Sequence, residues 1–328
     1  MLCILYVIAV GTLLGIVGLL VERALPATAA RRWLWCAIIP ISMVIPGVYR
    51  WRHNWAVTEI SAQQSNQLSL SHSLEMASLT PLDRAWWART ESYDQAINQV
   101  WIIVSGILVI WGLTNAMRVS HIVRSSRDGA GDSRQSGMID GVPVVVTDMA
   151  GPATVGLLRS EVLVPRWVLA LPGTQRQYVL RHEEEHRRAH DARLLFVASL
   201  PLLLMPWNLA MWWQLRRLCL AVEMDCDNRV VAALGDRNAY GELLLKVAQA
   251  GSRGPRLQPA FLGMGMLERR LNALLAPTPL RHVQRLLLPA AALSILLLVL
   301  WMPHPIVGHH AHAATTTTFN ATTAPSLR

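Results

Sequence analysis

Long apolar runs alternate with arginine-rich polar stretches along this chain. Residues 1–20 form one uninterrupted apolar run, and further runs occupy about 33–49, 97–117 and 286–302. Each approaches the roughly 20 residues that a helix needs to cross a bilayer. The first run has no basic segment before it, which predicts a retained anchor rather than a cleaved signal peptide. We therefore predict four transmembrane helices, three of them in a membrane region at 1–117.

The distribution of arginine predicts how these helices are oriented. Positively charged loops stay in the cytoplasm. The loop at 22–32 and the central region at 118–285 are basic, whereas the loop at about 50–94 has a slight acidic excess. We expect the central region inside, and the N-terminus, the loop at 50–94 and the tail at 303–328 outside. The composition of that histidine- and threonine-rich tail predicts disorder, with metal binding as the alternative.

One apolar stretch, at 194–213, does not fit this count of spans. A single crossing there would put its two arginine-rich flanks on opposite sides of the membrane. Pro201, Pro206 and Asn208 also interrupt the stretch. We therefore predict a helical hairpin that dips into the bilayer and returns.

The polar region before the hairpin predicts a small α+β domain. The β-branched segment Val142–Thr147 indicates a strand, and 155–164 favours one or two more. Gly, Ser and Asp at 128–141 indicate a loop or linker, and the pattern becomes helical from Thr174. The predicted domain occupies 118–285 and is interrupted by the hairpin.

Composition agrees with a membrane protein. Of the 328 residues, 52% are hydrophobic and 16% charged, whereas about a quarter are charged in ordinary soluble domains. The net charge of +9 comes mainly from arginine. No basic run carries interleaved aromatics, so we expect a lipid bilayer as partner and no direct nucleic-acid contact. The four cysteines have neither zinc-ribbon nor disulfide-framework spacing, which predicts reduced thiols.

The segment 182–186 has the pattern H-E-x-x-H. On a helix, residues four apart share a face, so His182 and His186 can offer ring nitrogens to one Zn²⁺ ion. Glu183 follows the first ligand and can accept the proton of a metal-bound water that attacks a peptide carbonyl. The alternative is a solvent-facing helix in which Glu184 pairs with Arg188.

A second segment supplies the third ligand that catalytic zinc usually has. Glu223 and Asp227 are again four apart on a predicted helix. Glu223 can complete the zinc site, while Asp227 can accept a hydrogen bond from a ligand histidine. Asp191 either does the same or is a helix-end charge. Cys226 is a possible thiolate ligand, although Glu223 and the histidines already suffice.

The chain resembles the BlaR/MecR family of membrane zinc metallopeptidases, signal transducers behind β-lactam resistance. The resemblance covers most of the chain and implies a gluzincin-like endopeptidase site in a cytoplasmic domain, packed against helices of the bacterial inner membrane. In the best-known members the response involves loss of a DNA-binding repressor. The matching motifs are Val162–Pro165, His182–His186 with Asp191, Pro206–Asn208, Glu223 with Cys226 and Asp227, Tyr240–Leu244, and Leu267–Leu271.

Two departures from the family pattern change the expectations. The best-known members carry a penicillin-binding sensor domain after the last span, where this chain has the short tail at 303–328. We therefore expect the signal to enter elsewhere. Glu184 and Glu185 replace apolar residues of the zinc motif, so that helix is either more exposed than usual or pairs these carboxylates with arginines such as Arg187 and Arg188.

The expected function is regulated proteolysis, in which an outer signal changes cleavage of a cytoplasmic protein such as a repressor. The alternatives are a quality-control protease for membrane proteins and a non-catalytic signalling scaffold that keeps the zinc fold. An edge strand near the motif helix commonly pairs with extended substrate, and 154–159 is the candidate. His190 and Tyr240 are candidate oxyanion donors. The oligomeric state stays open, with a homo-oligomer among the alternatives.

Overall fold

The computed structural model is mostly helical with one small mixed sheet. The predicted outer loop at 50–94, the tail at 303–328 and most of the linker at 128–141 lie outside the described residues. The described residues are 2–25, 29–48, 96, 99–118, 120–121, 136–147, 151–157, 159–251, 265–275 and 282–301.

The helices and strands follow one another in the order that the hydrophobic pattern predicts. The helices are α1 (Leu2–Ala24), α2 (29–48), α3 (Gln99–Arg118), α4 (Arg166–Leu169), α5 (Gly173–Arg188), α6 (Asp191–Leu204), α7 (Leu209–Leu234), α8 (Arg237–Gly251), α9 (Met266–Leu275) and α10 (His282–Trp301). The strands are β1 (Ser136–Ile139), β2 (Val142–Thr147), β3 (Ala153–Val155) and β4 (Glu161–Pro165).

The four strands form one sheet in the order β1-β2-β4-β3. Strands β2 and β4 are parallel, and the other pairs are antiparallel. The predicted strand at Val142–Thr147 is confirmed. The linker prediction was wrong at 136–139, because Asp140 and Gly141, with φ of 50° and 80°, form the tight turn that pairs β1 with β2.

Two described helices are long and apolar enough to cross a membrane, Ile4–Ala24 within α1 and Gln99–Arg118 as α3. The apolar part of α10 is shorter, Leu287–Trp301. Helix α2 covers most of the predicted second span but carries two arginines near its start. The second and fourth crossings therefore stay predictions.

The first hydrophobic core joins α1, α2, α6, α7 and α10. Helices α1 and α2 approach closely at Gly18, where a Cβ atom would lie 2.5 Å from Ile38 and 2.9 Å from Trp35. The predicted hairpin at 194–213 is present as α6, a short turn and the start of α7. Asn208 begins α7 by accepting hydrogen bonds from the Ala210 and Met211 amides.

The second core packs the sheet against α5, α8, α9 and the later half of α7. Helix α7 belongs to both cores, with Leu215 and Leu218 in the first and Cys226 and Val230 in the second. Its 26 residues span about 39 Å at about 1.5 Å per residue. The predicted ligand Glu223 thus lies where the two cores meet.

Candidate metal centre

Helices α5 and α7 bring the three predicted ligands together. The Nε2 atoms of His182 and His186 lie 3.2 Å apart. Glu223 Oε2 is 3.6 Å from His182 Nε2, and its Oε1 is 3.8 Å from His186 Nε2. The three side chains are 14%, 13% and 21% exposed, so this triangle is largely buried yet remains reachable from one side.

These distances fit a tetrahedral metal ion. Zinc binds histidine nitrogen and carboxylate oxygen at about 2.0–2.2 Å, which places neighbouring ligand atoms about 3.3–3.6 Å apart at the corners of a tetrahedron. The three observed separations are at or near this range. Two imidazoles and one carboxylate are also a donor set that catalytic zinc uses, with the fourth position left for water.

Each histidine is oriented by a hydrogen bond to its other ring nitrogen. Asp191 Oδ2 lies 2.7 Å from His186 Nδ1. The Tyr240 hydroxyl lies 2.9 Å from His182 Nδ1 and donates to Asp227 Oδ1 at 2.8 Å. With hydrogen on both Nδ1 atoms, both Nε2 lone pairs face the centre of the triangle, as metal binding requires.

Asp227 and Asp191 therefore act at different ranges. Asp191 touches its histidine directly and also begins α6, so both interpretations from the sequence describe it. Asp227 Oδ1 is 3.5 Å from His182 Nδ1, beyond a good hydrogen bond. It reaches the ring mainly through Tyr240.

Arg270 from α9 supplies positive charge to this cluster. It donates to both oxygens of Asp227, at 2.8 and 2.6 Å, and its Nη1 lies 2.9 Å from Glu223 Oε2. Burial raises the pKa of Glu223, but Arg270 and the two histidines lower it well below its ordinary value. Burial and then Asp227 raise the pKa of Tyr240, which keeps it a neutral donor. Glu223 is therefore a carboxylate at neutral pH.

Cys226 offers an alternative third ligand. Ligand atoms of Cys226, His182 and His186 all lie within 4.8 Å of one another. The Cys226 sulfur is 3.3 Å from His182 Nδ1 and donates to the His182 backbone carbonyl at 3.3 Å. It therefore contacts the nitrogen that also meets Tyr240, whereas Glu223 faces both Nε2 atoms. This geometry favours Glu223.

Glu183 lies beside the edge of the sheet. The Thr154 hydroxyl donates to the Glu183 backbone carbonyl at 2.7 Å and lies 3.0 Å from its side-chain Oε2. Thr154 belongs to β3, the outer strand, which pairs only with β4. The predicted substrate strand at 154–159 thus begins on a free edge next to Glu183, although its later residues follow the strand.

The two additional glutamates of the motif are buried, at 3% and 6% exposure for Glu184 and Glu185. The proposal of a more exposed helix is therefore wrong, and the arginine pairing is observed. Arg187 and Arg188 both bind Glu184. Glu185 meets Arg229 from α7 at 3.1 Å and so helps to join the two ligand helices.

Sequence reasoning overlooked the structural role of several residues around the site. Tyr240 entered as a candidate oxyanion donor, but its hydroxyl contacts His182 and Asp227. Arg270 entered only as part of a family motif. The other oxyanion candidate, His190, is exposed in the α5–α6 turn with φ of 55°. A motif four residues long carries no signal for partners that arrive from separate helices.

A family model described as BlaR1 peptidase M56 matches residues 1–274. The match covers most of the chain, so the protein belongs to this peptidase family, and the resemblance to BlaR/MecR proteins is confirmed. Comparison with curated proteins and with solved structures gives no match. Family membership and the two apolar helices indicate a membrane-associated metallopeptidase.

Proposed function

We propose that this member of the M56 family is an integral-membrane zinc endopeptidase in which His182, His186 and Glu223 bind the metal. One observation carries the proposal. Both Nε2 atoms and the Glu223 carboxylate converge, while both Nδ1 atoms meet hydrogen-bond partners. A solvent-facing helix without metal would have no reason to turn two imidazoles toward one carboxylate in this way.

In this proposal Glu183 is the general base. Bound zinc would polarise the peptide carbonyl and lower the pKa of its water. Glu183 is 7% exposed, follows the first ligand and is tethered to β3 through Thr154. Burial strengthens its electrostatic interaction with a nearby proton donor. The carboxylate would accept the proton from the attacking water and pass it to the departing amine.

The free edge of β3 is the proposed binding site for the substrate backbone. An extended peptide that adds to this edge would receive main-chain hydrogen bonds and lie beside Glu183. Such recognition reads backbone more than side chains, which suits an endopeptidase that cuts a protein in an extended segment. The Thr154 contact fixes the distance between strand and base.

We further propose that the site lies on the cytoplasmic side and acts in transmembrane signalling. The arginine-rich flanks of the hairpin support this orientation, because positive charge is retained in the cytoplasm. Helix α7 supports a link to the membrane, since it runs from the apolar core to Glu223. The proposed substrate is a cytoplasmic protein, such as a DNA-binding repressor.

The test is metal content and proteolysis of detergent-purified protein, comparing wild type with Glu183→Gln. Glu184→Gln is the matched control, because Glu184 is the next glutamate but binds Arg187 and Arg188. We expect one zinc per chain in all three proteins. Cleavage of the protein itself or of a candidate repressor should fall at least about 100-fold in Glu183→Gln alone.

Three results would contradict parts of the proposal. Wild type without zinc would refute the metal site. Equal cleavage by wild type and Glu183→Gln would refute the role of the base. Bound zinc without cleavage of any protein offered would favour a signalling scaffold that retains the fold.

A further inference from the structure

Arg32 comes from the first turn of α2 and is buried among the elements that carry the metal site. It is 5% exposed. Its Nη1 donates to Asp225 Oδ2 at 3.2 Å, and its Nη2 donates to the Ala189 carbonyl at 3.2 Å. Nη2 also forms an ion pair with Asp191 Oδ1 at 2.9 Å. One side chain from a membrane-region helix thus meets three acceptors in the peptidase region.

These acceptors lie at the positions that orient the ligands. Ala189 is the C-cap of α5, the helix that carries both histidines. Asp191 begins α6, and its second oxygen holds His186 Nδ1. Asp225 lies on α7, two residues after Glu223. Arg32 therefore joins the end of one ligand helix, the carboxylate partner of one ligand and the other ligand helix.

The chemistry of arginine suits this junction. A guanidinium presents five donors in a rigid plane, so it can bind several acceptors that point in different directions. Its positive charge also complements the C-terminus of α5, where backbone carbonyls lack helical partners. Lysine would keep the charge but could not reproduce the planar arrangement of contacts.

Arg229 faces the same carboxylates but cannot replace Arg32. It lies 3.5 Å from Asp225 and 3.9 Å from Asp191, and it also pairs with Glu185. Arg229 belongs to α7 itself and is 31% exposed. Its contacts therefore connect the ligand helices to one another, whereas those of Arg32 connect them to α2.

We propose that Arg32 is a positioning residue that holds Asp191, and through it His186, so that metal affinity depends on the placement of α2. The proposal rests on the zinc site proposed above. It also identifies a route for regulation. A shift of α2 relative to α5 would move the guanidinium away from Asp191 and loosen a ligand without any contact to the metal.

The experiment measures zinc affinity of the full-length protein in detergent by competition with a chromophoric chelator. The variants are Arg32→Ala, Arg32→Lys, Asp191→Asn and the double variant Arg32→Ala/Asp191→Asn. Arg31→Ala is the matched control, because the neighbouring Arg31 binds the Leu25 carbonyl and approaches Glu22. Loss of a partner of this kind typically weakens metal binding about 10–100-fold.

We expect Arg32→Ala and Asp191→Asn each to weaken zinc binding about 10–100-fold. Because the proposed route passes through Asp191, the double variant should be no weaker than Asp191→Asn alone. Arg32→Lys should fall between wild type and Arg32→Ala, and Arg31→Ala should match wild type. Wild-type affinity in both Arg32 variants would overturn the proposal, as would losses that multiply in the double variant. If Arg32→Ala does not fold, Arg32→Lys alone decides.

Hydrogen exchange of the metal-free proteins provides a second, independent readout. We expect faster exchange at the α5–α6 junction, around 186–195, in Arg32→Ala than in wild type or Arg31→Ala. Equal exchange in all three would overturn the proposal. If wild type binds no zinc, the proposed function fails, and the exchange comparison still decides whether Arg32 holds this junction.

Discussion

Removing the Tyr240 hydroxyl tests how His182 is oriented. Tyr240→Phe keeps the ring, which packs 5.4 Å from the Tyr178 ring, and deletes only the oxygen between His182 Nδ1 and Asp227 Oδ1. Asp227 would keep both hydrogen bonds from Arg270. His182 would keep only the Cys226 sulfur at 3.3 Å and Asp227 at 3.5 Å. The histidine therefore suffers most of the loss.

The magnitude follows from the one group that loses its good partner. Leaving a buried donor without a partner costs about 1–3 kcal/mol. If that cost falls on the metal-bound state, zinc affinity drops about 5–150-fold, since about 1.4 kcal/mol is a factor of ten. Mutations of groups that orient metal ligands span about 10–100-fold, which agrees with this range.

The assay is zinc affinity by chelator competition together with peptidase turnover. Tyr178→Phe is the control, because it deletes the neighbouring hydroxyl, whose contact is a long bond of 3.4 Å to the Asp236 carbonyl. Zinc affinity should fall in Tyr240→Phe and remain in Tyr178→Phe. Unchanged affinity with a loss of turnover in Tyr240→Phe would refute this reasoning and assign the hydroxyl to the oxyanion.

Two further predictions concern the metal. Glu223→Ala should lose zinc at neutral pH, whereas Cys226→Ala should retain it within about threefold by metal analysis, because the glutamate faces both Nε2 atoms; the reverse result would make Cys226 the ligand. Burial lowers the pKa of His182, but Cys226 and Glu223 raise it to about 10 in the metal-free protein. Since zinc binds the neutral ring, affinity should rise with pH by about tenfold per unit for each proton displaced, and titrations at about pH 6, 7 and 8 would contradict this if affinity were flat.

The ligand set could be predicted from sequence because it depends on local helix geometry. His182 with His186, and Glu223 with Asp227, are four apart, so any helix places each pair on one face. The partners of these residues could not be predicted in the same way. Tyr240 is 58 residues from His182, and Arg32 is 193 residues from Asp225. Such contacts depend on packing between helices, for which spacing along the chain gives no information.

The turn at Asp140–Gly141 shows a different kind of failure. Its signal was local and present, since an Asp-Gly pair between two strands favours a tight hairpin turn. The surrounding Gly, Ser and Asp residues made the whole segment look like a linker. Composition averaged over 128–141 therefore obscured a two-residue signal at the end of the segment.

The partners of the ligands come from different helices, and this has a consequence for how the site forms. Helix α5 alone brings the two Nε2 atoms together, but Asp191 comes from α6, Tyr240 from α8 and Arg270 from α9. The protonation state that metal binding requires is thus a property of the assembled fold. Metal binding and folding are linked whenever a site exists only in the folded protein. Any movement that separates these helices should therefore lower metal affinity before it changes a ligand.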